Sequence, residues 1–162
     1  MAFDAWRHAE AVSEQTHRSR SADETERLGF ALASQLQPGD VVLIAGELGS
    51  GKTTLVRGIC RALGVAAPVT SPTFALSHRY DSDAGELAHL DLYRLGTLSS
   101  EEQSLFADEI TDATFAFLEW PDNVLPQLDL ANQAAWRIEL THAGEDQRQI
   151  LVTRAECFGQ AP

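Results

Sequence analysis

The chain contains a single lysine, Lys52, in the octapeptide Gly46-Glu47-Leu48-Gly49-Ser50-Gly51-Lys52-Thr53. That stretch fits the phosphate-binding loop G-x-x-x-x-G-K-[ST]. Every other basic side chain is an arginine, eleven in all. A compact ammonium that reaches between two phosphates does what arginine's planar fork does poorly. In such a loop, successive backbone N–H groups and a helix N-terminus converge on phosphate oxygens, here expected from Gly49, Ser50, Gly51, Lys52 and Thr53. The hydroxyl of Thr53 is expected to serve a Mg²⁺ ion that bridges two phosphates. Mg²⁺ needs further oxygen, and two acids close apolar stretches: Asp91 after Leu87-Ala88-His89-Leu90, and Glu119 after Phe115-Ala116-Phe117-Leu118. An acid at the C-terminal end of a strand faces the crevice where open α/β sheets bind ligands, so at least one of the two is expected at the metal.

Such residues need a strand, a turn and a helix to hold them. Val41-Val42-Leu43-Ile44-Ala45 reads as a short buried strand, and Thr54 to Leu63 carries apolar residues at helical spacing before Gly64, a good C-cap. Upstream, Ser21 or Asp23 caps a predicted helix over roughly Glu24 to Leu36, closed by the turn Gln37-Pro38-Gly39-Asp40. Downstream, Val69 to Ser77 reads as a loop into an edge strand. Asp81 to Gly85 reads as a hairpin turn returning through Leu87 to Leu92. Ser99 or Ser100 caps a helix beginning Glu101-Glu102. Trp136 to Thr141 and Gln149 to Thr153 alternate in polarity about Gly144-Glu145-Asp146, which predicts a C-terminal hairpin. Residues 1–20 read as a loosely ordered leader, and 21–162 as one P-loop domain. The predicted fold is α/β and P-loop NTPase-like: a central mixed, partly parallel sheet flanked by helices.

Composition narrows the partners. The chain has 162 residues, 44% of them apolar and 22% charged, enough for one ordinary globular core. No apolar run approaches the roughly 20 residues that cross a bilayer, and the N-terminus lacks a signal-peptide apolar core, so a cytoplasmic protein without a membrane partner is expected. Cys60 and Cys157 read as buried or free thiols. The net charge of −12 repels a phosphate backbone. Direct DNA binding is not expected: any work on nucleic acid would go through partner proteins, or the acidity serves only to keep the protein soluble.

The blocks Gly46-x-Leu48-Gly49-x-Gly51-Lys52-Thr53-Thr54, Ser71-Pro72-Thr73-Phe74, His89-x-Asp91-Leu92-Tyr93-Arg94 and Glu119-Trp120-Pro121 occur in that order. Together they resemble the TsaE family, small bacterial P-loop ATPases required for making threonylcarbamoyladenosine in tRNA. The resemblance implies that Thr53, Asp91 and Glu119 serve Mg²⁺ and catalysis beside Lys52, with Thr54 continuing the nucleotide-binding loop. It leaves open whether Glu119 binds metal or orients water. It implies ATP as nucleotide and TsaB- and TsaD-like threonylcarbamoyl-transfer proteins as partners. It maps the segment near adenine to Ser21 through Thr25, where Thr25 is either a nucleotide contact or a residue of the helix surface. Thr73 resembles a switch-type threonine that senses the γ-phosphate, or else caps its loop; Arg94 reads either as reaching a phosphate or a partner's acidic patch, or as a surface ion pair. His89 shares a strand face with Asp91 and reads first as a satisfied core histidine. Trp120 reads as a lid or partner contact, since indole only donates a hydrogen bond. Glu47 stands where the family usually has Asp, and the paired Glu101-Glu102 is not followed by the family's Leu-Gly.

Rival functions leave different marks. A GTPase wants Asn-Lys-x-Asp, which a chain with one lysine already used cannot supply, and a D-x-x-G. A small-molecule P-loop kinase, the stronger alternative, wants an arginine-rich lid, whereas the arginines after the loop helix are scattered. A nucleotide-dependent binding module without catalysis is the third.

Overall fold

The computed structural model describes residues 11–72, 75–128, 130 and 135–155. The apolar run ending in Ala45 forms strand β2, Val41–Gly46, which lies fourth of seven in one sheet ordered β1-β7-β6-β2-β5-β4-β3. The other strands are β1 (Ala11–Ser19), β3 (Ser77–Ser82), β4 (Gly85–Asp91), β5 (Phe115–Glu119), β6 (Ala135–His142) and β7 (Arg148–Ala155). The helices are α1 (Ala22–Leu32), α2 (Lys52–Ala62) and α3 (Ser100–Asp112). β2 runs parallel to both neighbours, β5 and β6, and β5 runs parallel to β4. The ends of the sheet are antiparallel: β3 on β4 at one side, and β6, β7 and β1 in succession at the other. The mixed sheet is as the sequence predicts.

β2 shows why a parallel centre reads as unbroken hydrophobicity. Val42 and Ile44 join the core under α2, with Leu55, Val56, Ile59 and Phe117. Val41 and Leu43 face the second core with Leu90, Ile110 and Leu118, under α3. A strand covered on both faces has no polar side to show. Asp40, just before it, is buried and accepts the indole N–H of Trp136 at 2.8 Å. α1 lies against α2 so closely that a Cβ on Gly58 would sit 2.0 Å from the carbonyl oxygen of Glu26. No other residue fits that contact without moving a helix. α3 opens with a capping box between Ser99 and Glu102.

Two expectations change. Residues 11–19 are not part of a loose leader: they form β1, laddered to β7 from Ala11 opposite Ala155 to Ser19 opposite Arg148. All but His17 and Ser19 are exposed, and apart from an exposed Val12 both faces of the strand are polar or small and carry no period-two signal. Backbone pairing, not burial, makes this strand. The first helix begins at Ala22, capped by Ser21, and stops at Leu32, giving way to a 3₁₀ turn over Ala33–Gln35. Residues 1–10 and Cys157 lie outside the described residues. Cys60 is a buried free thiol, as expected.

Candidate nucleotide and metal site

Because β2, β4 and β5 are parallel, their C-terminal ends share one edge of the sheet, and the candidate residues meet there. The loop after β2 turns into α2 through Gly51, whose φ of 99° is left-handed and strained for any residue with a Cβ. No side chain caps the start of α2. Its first N–H groups, orphaned by helix geometry, are therefore available to an anion. Lys52 is buried, and its Nζ donates to the carbonyls of Gly46 and Glu47, both at 2.9 Å. The ammonium also stands 4.0 Å from the centre of the Trp120 ring. Burial pulls its pKa below the ordinary 10.5, against the carboxylates of Glu119 and Asp91, which favour the charged form.

Across from the loop, Asp91 and Glu119 are register partners on β4 and β5. Thr53 donates its hydroxyl to Glu119 Oε1 at 2.8 Å, which joins the first turn of α2 to the end of β5. The same oxygen lies 2.8 Å from His89 Nε2. A carboxylate only accepts, so the shared proton sits on the imidazole Nε2. Asp91 is held differently: its Oδ2 accepts from Ser71 at 2.9 Å and its Oδ1 from the N–H of Tyr93 at 3.1 Å. Tyr93 in turn packs on Trp120, ring centres 4.6 Å apart. Trp120 itself has φ 57° and ψ 51°, a left-handed conformation costly for a bulky side chain, on the order of 1–3 kcal/mol. Its backbone N–H bonds Ile44, and Pro121 follows.

Lys52, Thr53, Asp91, Glu119 and Trp120 thus come together as the sequence suggested. His89 does not read as an ordinary core residue. It is fully buried, yet one nitrogen meets Glu119 and the other, Nδ1, has no partner among the described residues. Thr25 is not on the helix surface: it is buried, and its methyl would lie 3.6 Å from a Cβ placed on Gly51. Its hydroxyl is engaged with Ser19 Oγ at 2.7 Å and the carbonyl of Ser21 at 3.2 Å. Gly49, Ser50 and Thr54 lie in the loop and first turn as expected; Arg94 is exposed, and Thr73 lies outside the described residues. Sequence reasoning missed Ser71 as a partner of Asp91, although it sits in one of the quoted blocks. It missed Arg148 altogether. The guanidinium of Arg148, on β7, donates to the carbonyls of Ser50 at 3.1 Å and Gly49 at 3.2 Å. No local motif announces such a contact.

Comparison with known proteins places the chain in a family. A family model described as threonylcarbamoyl adenosine biosynthesis protein TsaE matches residues 19–150. The chain belongs to the TsaE family. It is 33% identical over 137 residues to the tRNA threonylcarbamoyladenosine biosynthesis protein TsaE of Bacillus subtilis, covering 84% of this chain and 83% of that one. It is 41% identical to the protein of the same name from Synechocystis over 107 residues, 64% of this chain and 68% of the relative. Among solved structures, YdiB of Bacillus subtilis superposes with a TM-score of 0.71 at 26% identity, covering 88% of this chain and 86% of the other. This TsaE-family chain has no helix, among the described residues, long and apolar enough to cross a membrane.

Proposed function

We propose that this protein acts in tRNA threonylcarbamoyladenosine biosynthesis as a Mg²⁺-dependent ATPase that binds and resets a complex of TsaB- and TsaD-like transfer proteins. The names carried by its relatives support the pathway. The observation that carries the chemistry is the bond from Thr53 to Glu119, which couples the phosphate loop to a buried carboxylate beside Asp91. The donor set fits the metal. A hydroxyl and two carboxylates are hard oxygen donors, the kind Mg²⁺ takes. Among the described residues no three His, Cys, Asp or Glu side chains form a metal-holding group. Such a set suits a cation that arrives with the nucleotide and keeps phosphate and water oxygens. Thr53, Asp91 and Glu119 would hold it, and it would neutralise charge on the β- and γ-phosphates.

The chain's own residues do the rest. Lys52 leaves the Gly46 and Glu47 carbonyls for the phosphates, a swap that exchanges neutral acceptors for charged ones. Glu119, with Oε1 engaged by Thr53 and His89, would either orient the attacking water or help hold the metal. Trp120 covers the lysine and limits water at the reacting phosphate. The net charge of −12 suits a protein that meets tRNA through its partners, and a cytoplasmic location follows from that work. The test is phosphate release from Mg-ATP, with and without the transfer proteins. Release without any small acceptor supports the reading; strict dependence on a small acceptor makes the protein a kinase.

A further inference from the structure

We propose that Arg148 is a positioning residue for nucleotide binding: from the C-terminal hairpin it holds the phosphate loop in its anion-accepting form. The inference rests on the ATPase reading, but its observations lie outside the residues that reading uses. Arg148 is half-buried, and its guanidinium donates from Nε to Ser50 and from Nη2 to Gly49. Its Nη1 donates to the carbonyls of Glu145 and Gln147, at 3.1 and 2.9 Å, which anchors the fork to its own hairpin. His142, its ladder partner on β6, places Nε2 3.4 Å from the carbonyl of Leu48. Three consecutive loop carbonyls, Leu48, Gly49 and Ser50, are thus met from the same hairpin.

The geometry of the peptide bond makes this consequential. In a trans peptide the C=O of one residue and the N–H of the next point in opposite directions. Fixing the Gly49 and Ser50 carbonyls toward Arg148 turns the N–H groups of Ser50 and Gly51 the other way. The Ser50 N–H already reaches the Glu47 carbonyl at 3.1 Å, the same oxygen that Lys52 Nζ contacts. The Ser50 N–H therefore shares the loop's inner side with the lysine. Without the guanidinium, either peptide plane can rotate and present an oxygen to the phosphates. Arg148 also adds a positive charge behind the loop, its described hydrogen bonds all running to neutral carbonyls. A planar fork with fixed donors suits this task as a lysine would not. The ladder supplies the anchor: Arg148 opens β7, a strand paired on both sides, and lies opposite Ser19 at the end of β1 and His142 at the end of β6.

The experiment measures binding of fluorescent ATP and ADP analogues and Mg-ATP hydrolysis in wild type, Arg148→Met and Arg148→Lys, with amide spectra of the nucleotide-free proteins. The expected result is an affinity loss of about tenfold in Arg148→Met for both nucleotides, the scale of one charge-assisted hydrogen bond. KM rises with it, kcat stays within about twofold, and the Ser50 and Gly51 amide signals shift before any ligand is added. Arg148→Lys, which keeps charge and stem but not the fork, recovers part of the affinity, and more at low salt. Unchanged affinity in Arg148→Met overturns the proposal. So does a loss accounted for by a lower folded fraction and shared equally by kcat. If wild type itself binds no nucleotide, the ATPase reading fails, while shifted Ser50 and Gly51 amides in the variants still report the brace.

Discussion

The parallel centre of this sheet and its antiparallel wing are built on different terms. In the centre, β2, β4 and β5 are buried on both faces and end in the residues that carry charge: the loop with Lys52, then Asp91 and Glu119. In the wing, β1 exposes nearly every side chain and is held by its ladder to β7. Yet the wing reaches the site twice, through Ser19 on Thr25 and through Arg148 on the loop carbonyls. The candidate site residues are concentrated in one region, while hydrogen bonds to its loop come partly from the other. A residue can matter to a site without bearing any mark of it in its own neighbourhood.

Substitutions that separate the two regions test this contrast. The largest effect is expected at the centre: Lys52→Ala removes the only ammonium available to the phosphates and should abolish ATP binding in calorimetry, a loss of roughly 2–3 kcal/mol or more. Affinity close to wild type would mean that the loop does not hold phosphate. Glu119→Ala and Asp91→Ala should each slow hydrolysis at least about tenfold, a barrier change of roughly 1.4 kcal/mol. If Glu119 serves mainly the water, its variant still binds Mg-ATP with an unchanged Mg²⁺ requirement; if it serves mainly the metal, that requirement rises. Full activity in the Glu119 variant would make the centre's charged edge irrelevant to turnover.

Effects on folding come next. Gly58→Ala drives a Cβ into the Glu26 carbonyl, and chemical denaturation should show a loss of about 1–3 kcal/mol, as for overpacked cores. Ser19→Ala removes one buried hydroxyl pair between wing and centre. It should cost about 1 kcal/mol, because Thr25 keeps the Ser21 carbonyl. A much larger loss of nucleotide affinity than of stability would show that β1 works through Thr25 on the loop. The smallest expected change concerns Cys60, whose thiol burial pushes up to about 12 from 9.0. The folded state therefore holds this proton where the unfolded chain has released it, so stability is retained below pH 9.0 and declines as pH rises toward about 12. In a Cys157→Ser background, thiol labelling near neutral pH should await unfolding; rapid labelling of the native protein would contradict the burial.

What could be read in advance divides along the same line. The loop motif, the strand before it and the helix after it follow from local spacing, since backbone N–H groups, a lysine and a hydroxyl must be neighbours in sequence to be neighbours around a phosphate. The acids at the ends of β4 and β5 are visible too, because a two-sided buried strand that stops at a carboxylate is unusual in composition. β1 was not visible, because an exposed strand has no periodic burial to display. The partner of His89 was hidden for the opposite reason: a fully buried histidine shows nothing in sequence of the carboxylate it meets, Glu119, 30 residues away.

The chain by itself determined the G-x-x-x-x-G-K-[ST] loop motif, the α/β class and the identity of the charged groups, all consequences of side-chain type and short-range spacing. Tertiary structure alone decided which oxygen of Glu119 meets Thr53 and His89, why Gly58 must lack a side chain, and that Arg148, 98 residues from Ser50, braces its carbonyl. Those contacts depend on strand order and helix approach. Such quantities are set by the packing of the whole sheet and have no local signature.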